Sequence, residues 1–435
     1  MNKHPQPSNR KSTAQRSAEK NLFAGEKVSF LNDTAPPKAT DEELNSRYAK
    51  GEIRIVTEQA RYPLAGILQM LRETVEGEGG QREPRYKLDP EYQRRHRWDE
   101  QRKSRLIESF LLNVPVPPVF LYEQDLARFE VMDGRQRLTA LSDFYSNKFA
   151  LTGLEYWSGL EGRKYDELPS KVRDGIDRRY ISSIILLKET AASEEQAAML
   201  KKIVFERLNS GGVKLEGHET RNAVYNGPLN QLCIQLSENV NFRRMWGIPL
   251  NPTVQTEAED EMDESGDEGT QAGTKMFQRM EDVELVLRFF AYRQIGDYKA
   301  GLNKITEFLD KFIVEGNRFP QSILDQYRSM FESTITFLWA ALEADAFVMT
   351  APSKRRAAAK IVYDPIMYVA NSPEVIPNHA KLLEHKDVLR TELEKMYGEH
   401  HELFAGRRTN FVDTQKRNEC VAAAFANAIA QVENY

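Results

Sequence analysis

Three short runs of this chain place arginines, amides and glycines where a phosphate could be held. The first, Phe129 to Leu141, reads as a strand that stops at Asp133-Gly134 and turns at once into an amphipathic helix. Arg135, Gln136 and Arg137 then fall on the first helical turn. Unpaired N–H groups and the positive end of the helix dipole favour an anion there, and guanidinium forks match phosphate oxygens in pairs. The same residues also admit a purely structural reading. Asp133 would be an N-cap with Gln136 at the third helical position, and the arginines would be solvated. On this run alone the two readings stand level.

The second run, Tyr92 to Asp99, sets Gln93, Arg94, Arg95 and Arg97 just before a helix start, beside Trp98. Its ring can stack on a base or a guanidinium, or simply wedge the loop into the core. In the third run, Phe205 to Leu215, Asn209, Gly211 and Gly212 follow a helix. Taken alone, those glycines read more strongly as a C-cap than as a close approach of backbone to phosphate.

The elements that must position these runs are legible from periodicity. Structure is expected from about Asp41, with Asp41-Glu42-Glu43 preceding a short helix, and a strand is expected at Ile53–Val56. Pro63 opens a helix through Leu64, Ile67, Leu68 and Leu71. Residues 77–84 read as a loop and Tyr86–Leu88 as a strand. Asp99 caps a helix that buries Leu106, Ile107, Phe110 and Leu111. Strands at Val119–Tyr122 and Phe129–Met132 form a hairpin, and Ile181–Leu187 is a buried strand. Helices follow around Ala197–Leu208 and from Gly217 to Tyr225. Glu257–Glu268 is dense in acid, which predicts a solvated linker rather than a DNA mimic or metal buffer. From Lys275 onward the spacing is helical, with stripes at Met276, Met280, Val283, Leu287 and Phe290 and at Ile323, Tyr327, Met330, Phe331, Ile335 and Leu338. An alanine-rich helix at Val421–Val432 comes last. The expected organisation is a disordered basic tail (1–40), an α+β domain (41–230), a connector with the acidic loop (231–274) and a helical domain (275–435).

Composition excludes several classes. The chain has 435 residues, 40% hydrophobic and 29% charged, with net charge −5. That balance is ordinary for a globular protein and argues against unspecific coating of nucleic acid. The two cysteines, Cys233 and Cys420, lack metal-ligand spacing and point to a reducing, cytoplasmic setting. No apolar run reaches membrane-spanning length, and the N-terminus lacks the pattern of a signal peptide. Neither a Gly-x-x-x-x-Gly-Lys-Ser/Thr loop nor a strand followed by Gly-x-Gly-x-x-Gly occurs. The seven histidines form no His-Glu-x-x-His pattern.

The three runs in this order, with Leu106-Ile107-Glu108-Ser109 between them, resemble the family found as the N-terminal part of GmrSD-type modification-dependent restriction endonucleases. The resemblance spans roughly residues 50–230. It implies a small mixed sheet with flanking helices, similar to the ParB and sulfiredoxin fold. It also implies a nucleoside triphosphate and Mg2+ as ligands, a role in restriction of phage DNA, and a partner nuclease subunit. In that scheme Gln93, Arg94, Gly134, Arg135 and Arg137 bind phosphate. Gln136 orients a water or the nucleotide, Asp133 is catalytic and a candidate metal ligand, and Asn209, Gly211 and Gly212 close the pocket. Two features depart from the family: Arg135 stands where Gln is usual, and the helical C-terminal half shows no His-Asn-His nuclease. The resulting expectation is a nucleotide-hydrolysing, DNA-sensing component. The alternatives are a non-catalytic DNA-binding module and a stand-alone metal-dependent nuclease. The shared-pocket expectation is that Asp133–Arg137 meets the Gln93-Arg94 loop.

Overall fold

The computed structural model describes residues 22–28, 30, 40–50, 55–77, 80–88, 98–187, 194–208, 221–222, 224–250, 268–295, 305–350, 357–405 and 411–433. The acidic stretch up to residue 267, the expected strand residues Ile53 and Arg54, and most of the expected helix from Gly217 lie outside them. The chain divides into two compact units, one built on residues 35–226 and one on residues 227–251 and 266–435 together with the N-terminal segment.

The first unit is α+β. Its helices are α1 (Asp41–Lys50), α2 (Ile67–Arg72), α3 (Glu100–Leu112), α4 (Arg135–Tyr145), α5 (Ser170–Asp177) and α6 (Glu194–Leu208). Its strands are β1 (Thr57–Pro63), β2 (Thr74–Glu76), β3 (Arg82–Pro84), β4 (Tyr86–Lys87), β5 (Val119–Asp125), β6 (Arg128–Asp133) and β7 (Tyr180–Leu186). Five strands make a mixed sheet in the order β1-β7-β5-β6-β4. The β1/β7 and β5/β6 pairs run antiparallel, and β5/β7 and β4/β6 parallel. Period-2 alternation buries Val119 and Leu121 of β5, and their partners across the core include Ile107, Leu138, Leu141, Phe144 and Ile181. Asp99 caps α3 as expected, its Oδ1 accepting the Arg102 N–H at 2.6 Å. Asn113 ends that helix in the left-handed region, and the following N–H reaches back to Ser109.

Residues 77–84 differ from the loop expected there. β2 and β3 pair as a hairpin, Val75 opposite Glu83. Its strands bury almost nothing, so no alternation betrays them.

The second unit is helical: α7 (Pro228–Leu236), α8 (Val240–Met245), α9 (Glu268–Gln278), α10 (Glu281–Tyr292), α11 (Ile305–Gly316), α12 (Gln321–Leu342), α13 (Lys360–Ala370), α14 (His379–Glu384), α15 (Lys386–Glu399), α16 (His401–Phe404) and α17 (Phe411–Val432). The stripe from Ile323 to Leu338 is buried along α12. The stripe expected to run unbroken from Met276 is divided, because Met280 adopts φ +58 between α9 and α10. Two expectations about boundaries are corrected. Residues 228–245, assigned in part to a connector, form α7 and α8 and bury Leu229, Leu232, Cys233 and Phe242. The described part of the expected basic tail near Glu26 is not a tail: Val28 and Phe30 are buried and Glu26 is completely so. Glu26 pairs with Arg293 at 2.7 Å and accepts the Tyr327 hydroxyl at 2.9 Å. Gln294 brackets the same segment, donating to the Glu26 carbonyl and accepting the Val28 N–H. Residues 1–21 lie outside the described set. Among the described residues, no helix is long and apolar enough to cross a membrane.

Candidate functional site

The site is built on the turn between β6 and α4. Gly134 has φ +93, and a Cβ there would stand 2.5 Å from Val119 Cγ1 and 2.9 Å from Arg137 Nη2. Only glycine fits that conformation and that space without strain. Gly134 itself is the N-cap and supplies no side-chain cap, so Asp133 does not cap the helix. Its carboxylate turns instead to Arg137, at 2.9 Å. The same Nη2 donates to the Pro118 carbonyl at 3.2 Å, just ahead of β5. Arg137 therefore clasps the end of β6 to the start of β5 and leaves only 14% of its side chain exposed. Arg135 and Gln136 are half-buried on the same first turn.

The described end of the second run meets this turn, and the helix that leads into the third run meets the strand before it. Gln136 Oε1 accepts the N–H of Trp98 at 3.1 Å, so the end of the second run is anchored to the first. From the third run's helix, Lys201 Nζ reaches Glu130 of β6 at 2.7 Å with both groups buried. Gln124 donates to the same Glu130 oxygen, and Lys201 Nζ sits 5.5 Å from the Tyr122 ring centroid. Phe205, the first residue of the third run, is buried. Gln93, Arg94, Asn209, Gly211 and Gly212 lie outside the described residues, and with them the proposed meeting of Arg94 and Arg137.

Sequence reasoning missed Glu130 and Lys201. A signal was available, since a carboxylate between Phe129 and Val131 on a buried strand demands a partner. A second crossbar joins α3 to α4, where Lys103 pairs with Asp143 at 2.9 Å. Burial would raise the Asp143 pKa, but Lys103 and Lys148 outweigh it and hold the carboxyl below its ordinary value. Among the described residues, no group of three or more His, Cys, Asp or Glu side chains gathers as a metal site.

The arrangement offers a helix N-terminus, two arginines and a half-exposed carboxylate on a turn held by hydrogen bonds to Pro118 and Trp98. That is chemistry for holding an anion and for orienting a group beside it. Comparison with known proteins yields one family. Residues 77–226, about a third of the chain, match the model of the GmrSD restriction endonuclease N-terminal domain. No curated protein and no solved structure matches, so the likeness to the ParB and sulfiredoxin fold rests on the sequence resemblance alone. The matched segment begins at the β2–β3 hairpin and closes beyond α6, so it contains all three runs. Residues 77–226 are a domain of the GmrSD N-terminal family.

Proposed function

We propose that this chain is a component of a restriction or anti-phage defence system. Its N-terminal unit would bind a nucleoside triphosphate at the β6–α4 turn and couple that binding to DNA. The observation that carries the reading is the glycine-dependent β6–α4 turn inside the matched segment, which sets Arg135, Gln136 and Arg137 on one helical turn with Gln136 holding the end of the second run. Arg135 and Arg137 supply positive charge for phosphate, and Gln136 stands on the same turn, able to orient a water or the nucleotide. Phosphoryl chemistry asks mainly for such positioning and charge. Asp133 is one carboxylate, engaged by Arg137, so a Mg2+ ion here would take most of its ligands from phosphate oxygens and water. A partner nuclease would supply strand cleavage.

The Asp133–Arg137–Pro118 clasp favours a second reading. A guanidinium spent on holding two strands together has less to offer a nucleotide, and the domain would then be a non-catalytic DNA-binding module in which arginines other than Arg137 contact backbone phosphates. The deciding experiment measures binding and hydrolysis of the four nucleoside triphosphates by the purified chain, with and without DNA. Repeating it with Arg135→Ala tests the turn without cutting the clasp. Binding weakened roughly tenfold or more supports the phosphate site, since a hydrogen bond to a charged group contributes about 1.5–3 kcal/mol. Absence of nucleotide binding with DNA binding retained favours the module.

A further inference from the structure

Residues 152–157 form an irregular loop between α4 and the 3-10 turn at Ser158–Leu160, and side chains hold its backbone along the whole length. Six consecutive N–H groups donate to side-chain oxygens. Thr152 donates to Ser104 Oγ at 3.0 Å, and Gly153 and Leu154 donate to Glu161 at 2.7 and 3.2 Å. Glu155, Tyr156 and Trp157 all donate to Glu108, at 3.2, 2.7 and 2.9 Å. Ser104 and Glu108 are buried on α3. Gly153 lies so close to Gln101 that a Cβ would meet it at 2.7 Å, and Arg105 reaches Glu155 at 3.8 Å. Gln101, Arg105 and Glu108 recur at helical spacing, so the loop lies along one face of α3.

What this scaffold displays is a pair of aromatic rings. Tyr156 is 73% exposed and Trp157 38%. Exposed aromatics on a slack loop would fold down against apolar neighbours. Here a buried carboxylate fixes the backbone beneath them, which removes the ordering cost from any later binding step. Arg102 and Arg105 stand exposed three residues apart on α3, the helix along which the loop lies. The Arg105–Glu155 pair joins two side chains that are each more than half exposed. Such a pair contributes little, so the guanidinium can exchange Glu155 for a phosphate.

We infer that Tyr156 and Trp157 form a stacking platform for an unpaired base of a DNA strand, with Arg102 and Arg105 tracking its phosphates. Exposed aromatic rings on a fixed backbone, next to a helix that carries cations, suit this occupant, because every base offers a π-face and every nucleotide a charge. The inference rests on the DNA-coupled reading above and adds to it where on the surface a strand opened or distorted by modification would be engaged.

The test is fluorescence anisotropy of the full chain with a short labelled single strand and with the same sequence as a duplex. Tyr156→Ala/Trp157→Ala should weaken single-strand binding at least about fivefold, as expected from roughly 1–3 kcal/mol of stacking per base, and leave duplex binding nearly unchanged. Glu108→Gln, which loosens the loop and keeps both rings, should fall between the two. Wild-type protein that binds neither DNA overturns both the platform and the DNA-coupled reading. Wild-type protein that binds while the folded double variant binds equally well overturns the platform alone. A double variant altered only in sedimentation without DNA would make this face a protein interface, and the proposal would fail.

Discussion

Two buried carboxylates, one in each unit, hold irregular segments in place by opposite means. Glu108 sits on a helix and gathers a loop, its charge met by three backbone N–H dipoles. Glu26 sits on the irregular segment itself and is gathered by helices, its charge met by the Arg293 guanidinium, the Tyr327 hydroxyl and its own turn at Phe23. A carboxylate solvated by dipoles leaves no second charge behind when it is removed. One solvated by a guanidinium does. The loop over Glu108 can thus be loosened without being lost, whereas the segment around Glu26 is tied to a buried counter-charge.

The largest effect should come from Glu26→Gln. It strands Arg293, whose side chain is 11% exposed, and breaking one side of a largely buried pair costs up to about 3–5 kcal/mol. Chemical denaturation should show that loss in the transition of the helical unit. An unchanged midpoint would mean the segment is not integral to it. Glu130→Gln carries the counter-charge rule into the N-terminal unit, because Lys201 is left buried beside Tyr122. A loss of about 3 kcal/mol in that unit's transition is expected, and Lys201→Met on top of it should restore a good part. If the double variant is as unstable as the single one, the pair is not the reason for the loss.

Glu108→Ala should cost less, about 1–3 kcal/mol, the penalty of unsatisfied backbone donors that water can partly reach. Trp157 fluorescence should report a mobile loop. A loss as large as that of Glu26→Gln would erase the contrast between dipoles and counter-charge.

The smallest effect is in pH. Burial works to raise the Glu108 pKa, but the three N–H groups and Arg105 outweigh it and hold the group below its ordinary value of 4.5. The unfolded chain therefore takes up the proton first. The stabilisation is complete above pH 4.5 and is lost as pH falls through the lower folded value. Acid titration of the N-terminal unit followed by Trp157 emission should show this step, and Glu108→Gln should remove it.

The sequence made the strongly periodic elements plain, because strands such as Val119–Tyr122 and helices such as α12 repeat their buried positions at fixed periods, whereas β1, the β2–β3 hairpin, α7 and α8 were misplaced or missed. It also placed the β6–α4 turn, since Asp-Gly between a strand and an amphipathic helix has few other uses. Both carboxylate devices escaped it. Glu108 interrupts the apolar face of α3 between Ile107 and Phe110, but nothing local names the loop almost fifty residues later that needs it. Phe23, Val28 and Phe30 are too sparse to stand out in a basic, polar stretch, and their partners lie far along the chain. Periodicity reports what an element buries, while these contacts depend on what the chain brings together at long range.

The hydrogen bond from Tyr327 to Glu26 spans 301 positions. During synthesis at about 5–20 residues per second, the segment around Glu26 leaves the ribosome roughly 15–60 seconds before Tyr327 exists. For most of that interval Phe23, Val28 and Phe30 have no native surface to cover them, since Arg293, Gln294, Phe308 and Tyr327 are all made late. Residues 35–226 can close on themselves meanwhile, whereas the helical unit cannot be completed until its earliest-made piece returns. A nascent chain halted before α12 should therefore expose this segment to protease, and one released after α17 should protect it.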